Sequence, residues 1–236
     1  MELLKKRLAG LGFEVSDDQI EKFRIYMDGV LEYNQHINLT SITDHDEFID
    51  KHFADSILGT DCDEFRNAKN VIDVGTGGGF PGVPMAIMNP DKEFILLDSL
   101  KKRLKIIDEL CERAGINNVR TLHMRAEDAG KSKEYRQSFD LCVSRAVASM
   151  PVLSELCVPL VKEGGYFMAY KGPGYADELD AAKKAISVTG GKVIEVREFK
   201  SSDLSFDHNV IVVKKIKPTP KAYPRKAGTP NKEPIK

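Results

Sequence analysis

The segment NVIDVGTGGGFPGVPMAI, residues 70–87, constrains this chain more than any other. A strand-forming run reaches Asp73, Gly75, Gly77, Gly78 and Gly79 follow almost at once, and a helical stretch comes next. Glycines in that place serve a tight strand-to-helix turn, where positive φ angles are needed and a Cβ would keep a ligand off the backbone. The segment therefore reads as a nucleotide-type ligand loop at the end of a parallel strand. Read with an offset, Gly77, Gly79 and Gly82 also satisfy GxGxxG, so spacing alone leaves open a dinucleotide or S-adenosylmethionine.

Charge separates those two. A dinucleotide presents an anionic pyrophosphate, whereas S-adenosylmethionine presents a sulfonium and an α-ammonium. A carboxylate at Asp73 repels the first and attracts the second, by about 4 kcal/mol at 4 Å with an effective dielectric near 20. The next apolar run, ILLDS, ends in Asp98, 21 residues after Gly77, where a carboxylate accepts hydrogen bonds from both ribose hydroxyls of either ligand. Farther on, Arg125-Ala126-Glu127-Asp128 stands where an adenine belongs, with Ala126 and Glu127 facing its edge, although an acidic turn of this kind also simply starts helices. Phe80 is either core or a ligand flank. No glycine loop ends in Gly-Lys-Ser or Gly-Lys-Thr, which excludes P-loop hydrolysis.

Around the loop, short apolar runs alternate with amphipathic stretches, the mark of an α/β chain. Strands are predicted at Val71 to Val74, Phe94 to Leu97, Val119 to His123, Phe139 to Ser144, Tyr166 to Tyr170, Val193 to Phe199 and Asn209 to Lys215. Only Lys200 to His208 separate the last two, too few for a crossover helix, so they should pair antiparallel. That outline is the class I methyltransferase (Rossmann-like) fold, a seven-stranded sheet with a terminal antiparallel hairpin. Residues 1–60 read as a helical N-terminal module: Ser16 with Gln19 forms a capping box, and Ile20, Phe23, Met27, Val30 and Leu31 follow at helical spacing. Asp44 with Glu47 opens a second helix carrying Ile49, Phe53 and Ile57 on one face. The main domain is expected over 61–216 and a basic, Pro-rich tail over 217–236.

A hydrophobic share of 42% excludes disorder, and no apolar run approaches the roughly 20 residues of a membrane span. With no signal-peptide pattern either, a cytoplasmic monomer is expected. The four cysteines show no CxxC pair and no metal-ligand spacing, so they read as reduced, mostly buried thiols. The net charge of −1 hides an asymmetry: from Lys214 onward there are eight basic residues and one acid, leaving 27 basic and 35 acidic before them. Such a tail, with five prolines, reads as an extended strip for a polyanion, Arg225 and Lys226 among its contacts, or as a solvated extension without a partner.

The end of the fourth strand, SRAVAS, narrows the acceptor. It lacks the Asn/Asp-Pro-Pro-aromatic clamp of adenine-N6 enzymes, and Cys157 precedes Val158 and Pro159 in the wrong order for the Pro-Cys nucleophile of cytosine-C5 enzymes. Guanine N7 carries an in-plane lone pair and no proton, so neither a general base nor a covalent intermediate is required. Alignment alone can contribute about 7 to 11 kcal/mol. Arg145 and Lys171 are candidates to hold RNA, Arg145 having a buried ion pair as its alternative role.

Several motifs in one order, namely Asn38-Leu39-Thr40, His52-Phe53-Ala54-Asp55-Ser56, the DVGTGGGFPG loop, LLDS with Lys102 and Arg103, Arg125-Ala126-Glu127, Ser144-Arg145-Ala146 and Tyr170-Lys171-Gly172, resemble the bacterial small-subunit rRNA guanine-N7 methyltransferases, the RsmG or glucose-inhibited-division-B family. The tail looks like that of Gram-positive members. The resemblance implies methyl transfer from S-adenosylmethionine to N7 of a guanine in 16S rRNA, with the small ribosomal subunit or its precursor as partner. It also implies cofactor contacts at Gly75, Phe80, Ala126, Glu127 and Arg145, beside Asp73, Gly77 and Asp98 read from the residues. His52, Asp55 and Ser56 either orient RNA or fasten the N-terminal module to the main domain. A small-molecule methyltransferase and a non-catalytic S-adenosylmethionine-binding assembly factor remain the competing readings.

Overall fold

The computed structural model describes residues 1–199 and 208–236. Strands β1 (Asn70–Val74), β2 (Glu93–Asp98), β3 (Val119–His123), β4 (Phe139–Arg145), β5 (Val161–Lys171), β6 (Gly191–Phe199) and β7 (His208–Lys215) form one sheet in the order β3-β2-β1-β4-β5-β7-β6. The first five are parallel, and β7 inserts antiparallel between β5 and β6. All seven predicted strands are present, and the predicted hairpin pairs from His208 against Phe199 inward. Most of its connection lies outside the described residues. β5 starts five positions earlier than its apolar run, because Gly164 at φ +84° and a register shift between Phe139 and Leu141 let Val161 pair across a glycine-rich stretch.

One face of the sheet is covered by the N-terminal helices α1 (Glu2–Gly10), α2 (Asp17–Asn34), α3 (His45–Phe48), α4 (Asp55–Leu58) and α5 (Asp63–Arg66), together with α6 (Gly82–Met88) and α7 (Lys101–Arg113). The other carries α8 (Ala126–Ala129), α9 (Met150–Cys157), α10 (Tyr175–Ala181) and α11 (Lys183–Thr189). Strand residues alternate between the two cores: Val71, Leu141, Val143 and Val212 face the first, Ile72, Cys142, Ile211 and Val213 the second. Residues 1–60 thus share one apolar core with the sheet. A short helix, α12 (Thr229–Lys232), lies in the tail.

Local chemistry explains the helix starts. Both halves of the Ser16–Gln19 capping box are made, and the Asp44 carboxylate accepts from the Asp46 and Glu47 amides. The buried face of α2 includes Tyr26, which its periodicity did not single out, while Leu31 is only half-buried. Between α3 and α4 a π-helical turn, Ile49–Ala54, keeps Ile49, Phe53 and Ile57 all in the core and places His52 beside the glycine loop. All four cysteines are buried and free, and among the described residues no helix is long and apolar enough to cross a membrane.

Candidate functional site

The carboxyl ends of β1 and β4 mark the point where strand order reverses, and two contiguous hollows open there. The larger holds about 580 Å³ and the smaller about 330 Å³; they share Gly75, Arg103 and Ala146. Gly75 adopts φ +74°, and a Cβ there would lie 2.4 Å from Val147 Cγ2. Its bare backbone leaves room for the Val147 side chain where the two hollows meet. Ala146 sits opposite at φ +57°, a conformation a non-glycine residue adopts at a cost.

Most of the loop's amides are engaged within the loop or by the end of β2. Gly77 N–H donates to Asp98 Oδ2 at 3.0 Å, Gly82 N–H to Asp73 Oδ2 at 3.0 Å, and the Gly75, Gly79 and Phe80 amides go to the carbonyls of Leu97, Thr76 and Thr76. A pyrophosphate needs just such amides and would find them occupied, by carboxylates in two cases. Asp73 itself lies wholly buried under the loop, where Thr76 Oγ1 also donates to it at 2.7 Å. Burial pushes its pKa up to about 6, opposed by the bonds from Thr76 and Gly82. It lines neither hollow, which corrects the expectation of a direct ligand contact: its carboxylate is used to close the turn. Tyr26 braces the same turn from α2, its hydroxyl donating to the Gly78 carbonyl at 2.9 Å.

The smaller hollow has the polarity of an adenosine. Asp98 and Glu127 line it with Leu100, Met124, Ala126, Val147 and Leu156. Leu100 and Val147 are among the few large apolar side chains left exposed among the described residues, 51% and 40%, and both stand at its lip. Asp98 Oδ1 accepts from Leu100 N–H at 2.8 Å, so each carboxylate oxygen holds one backbone donor and retains a lone pair for a hydroxyl. The carboxylates, apolar lips and open glycine floor fit an adenosine-bearing cation.

In the larger hollow, one face of Phe80 is covered by His52, with Arg145 alongside. His52 stacks on it at 4.2 Å with an interplanar angle of 5°, and the Arg145 guanidinium lies 5.7 Å from its centroid. Arg145 ion-pairs with the buried Asp55 and donates to the Lys51 carbonyl at 3.0 Å and to His52 Nδ1 at 3.3 Å. With Nδ1 accepting, His52 Nε2–H donates to Thr40 Oγ1 at 2.7 Å. Burial, then the Arg145 charge, pushes the His52 pKa down to about 3, so the ring is neutral. Asp55 also pairs with His208, and Tyr170 donates to the Ser56 carbonyl at 2.9 Å. The His52-Phe-Ala-Asp-Ser56 stretch therefore fastens the N-terminal helices to the carboxyl ends of β4 and β5 and the amino end of β7. Its partner Arg145 is some 90 positions away, which is why sequence gave it no mechanism. Lys171 turns inward to Glu178 Oε2 at 2.6 Å and the Ala148 carbonyl at 2.7 Å.

Gly75, Gly77, Phe80, Asp98, Ala126, Glu127, Arg145 and Lys171 are thus brought together, while Asp73 lies below. The tail departs from expectation. Instead of an extended strip it is packed on the domain: Arg225 makes a two-pronged pair with the fully buried Glu155 of α9, at 2.7 and 2.9 Å, and so faces inward. Lys226 remains exposed. A lone carboxylate in the apolar run MPVLSELCVPL was the signal that a cation had to come from elsewhere.

Residues 19–207 match the family described as GidB, rRNA small subunit methyltransferase G. The chain is 48% identical over its whole length to the ribosomal RNA small subunit methyltransferase G of Clostridium perfringens, strain 13, covering 98% of that protein. It is 50% identical to that of Lactobacillus johnsonii, covering 99% of each chain. Among solved structures, NSun6 from Pyrococcus horikoshii with SFG superposes at a TM-score of 0.52 and 16% identity over 64% of this chain and 49% of that one. The antibiotic-resistance methyltransferase Kmr gives 0.50 and 18% over 63% and 87%. At those identities the likeness is one of fold.

Proposed function

The chain belongs to the GidB family of rRNA small subunit methyltransferase G proteins, and from that premise we propose that it methylates N7 of a guanine in 16S rRNA with S-adenosylmethionine as donor. S-Adenosylmethionine supplies an electrophilic methyl group on a sulfonium. Asp98 would hold the ribose hydroxyls, Ala126 and Glu127 the adenine edge, and Gly75 and Gly77 the neck between the hollows.

The observation that carries the acceptor reading is the state of the groups lining the larger hollow. His52 is neutral with both ring nitrogens engaged, Asp55 and Glu178 are ion-paired, and the Tyr170 phenol is buried and donating. None of these four is a base waiting for a proton, and the other imidazole of the hollow, His208, is paired through Nδ1 with Asp55. A nucleophile that brings its own lone pair, as guanine N7 does, needs none, and the work left to the protein is alignment. Phe80, stacked on His52 with the Arg145 guanidinium alongside, provides a rigid wall for that purpose.

RNA binding is supported by Lys101, Lys102 and Arg103. They fill the first turn of α7, where the helix dipole favours anions, and Arg103 reaches both hollows. That unfavourable placement makes sense if phosphates pass there. Incubating the protein with labelled S-adenosylmethionine and small subunits lacking the modification, followed by mass-spectrometric mapping, should put one methyl group on N7 of a 16S guanine. Label on another base, or only on small molecules, would refute the reading. In the same preparation, Lys101→Gln with Lys102→Gln should lower the salt slope of RNA binding by about 0.7 to 0.9 per lost phosphate contact.

A further inference from the structure

The smaller hollow is closed on one side by a residue that neither the glycine loop nor the strand ends supply: Asn231, from the tail. We propose that residues 218–233 are a fixed wall of the donor site, in which Asn231 binds the adenine edge and the Gly228 amide orients Glu127. The proposal rests on the donor-site reading above.

The tail is held too firmly for a solvated extension. Arg136 donates to the carbonyls of Thr219, Pro220 and Tyr223 at 2.6, 3.2 and 2.8 Å, and to Gly130 at 2.7 Å, stitching tail to domain. Thr219 N–H donates to Gln137 at 2.9 Å, and the buried Lys215 ammonium reaches Thr219 Oγ1. Pro224 packs so closely on Gly130 that a Cβ there would lie 2.8 Å from its Cγ. Arg225 anchors the next step on Glu155. The chain then turns at Gly228, φ +83°, whose amide donates to Glu127 Oε1 at 2.7 Å, and enters α12 with Asn231 facing the hollow.

That geometry fixes the carboxylate of Glu127 through one oxygen and leaves the other for a donor. Adenine presents an exocyclic amine beside ring-nitrogen acceptors, the pattern that a carboxamide reads with one acceptor and one donor. Glu127 and Asn231 together would therefore select a 6-amino purine over a 6-oxo purine.

Calorimetry on the full chain tests this with S-adenosylhomocysteine and S-inosylhomocysteine, in which a carbonyl replaces the amine. Wild type should prefer the adenosyl compound. Asn231→Ala should bind it about tenfold more weakly, the size of a good hydrogen-bonded contact, at an unchanged melting temperature, and should narrow the preference. Unchanged affinity and preference in Asn231→Ala, while Asp98→Ala loses binding, would overturn the wall and leave the donor site standing. Failure of the wild type to bind either compound would overturn both.

Discussion

Arg225 offers the sharpest test of how the tail is held. The Glu155 carboxylate has no solvent exposure, and the Arg225 side chain gives it bonds at 2.9, 3.1 and 2.7 Å. Arg225→Met removes all three and leaves only the Arg225 backbone N–H at 2.7 Å. Breaking a buried pair from one side costs about 3–5 kcal/mol because the remaining charge is stranded. The surviving amide bond and the half-buried position of Arg225 put this case at the lower end, about 3 kcal/mol. For a chain of this length that is a fall of roughly 6–12 °C in Tm, visible also as a lower urea midpoint at constant slope. The double variant Glu155→Leu, Arg225→Met removes the stranded charge, and replacing a buried pair by apolar groups is often neutral. It should recover most of the loss. A single variant within about 1 kcal/mol of wild type, or a double variant no better than the single, would refute a buried anchor.

Three other outcomes follow from the site. His52 is neutral when folded down to about pH 3 but protonates near 6.5 when unfolded, so the unfolded state binds the extra proton between those values. Stability should fall as pH drops below 6.5, by up to about 1.4 kcal/mol per pH unit from this group, and His52→Asn should remove that component; parallel curves would contradict it. Gly79→Ala combines φ +92° with a Cβ 2.1 Å from Tyr26 Oη, so it should cost about 1–3 kcal/mol by urea titration, clearly more than Gly12→Ala at φ +84° with open space around it. Asp98→Ala removes the acceptor of the Gly77 and Leu100 amides as well as that of the ribose, so donor affinity should drop at least about tenfold by calorimetry; an unchanged Kd would remove Asp98 from the site.

The sheet was legible because its central strands are short apolar runs and its outer strands alternate, and the loop because four glycines in five positions have few other uses. What stayed hidden depends on partners far away in sequence. Asp55 and Arg145 meet across 90 positions, Arg225 and Glu155 across 70, and no local spacing announces either. The tail misled because prolines and cations are what a solvated segment also contains. Here the prolines shorten the list of unfolded conformations, and Arg225 with Arg136 fastens what is left.

Asp73 shows how a correct ligand sign can follow from an incomplete reason. Its carboxylate was expected to touch the cation, yet it binds Thr76 and Gly82 beneath the turn. With a pKa near 6 it is still mostly ionised at neutral pH, and a charge needs no contact to act: at 8 Å with a dielectric near 20 the gross attraction is about 2 kcal/mol. The stronger discrimination comes from what the two aspartates do to the loop. By taking the Gly77 and Gly82 amides they remove two of the donors an anion would use, so the turn disfavours pyrophosphate through missing partners as well as through repulsion.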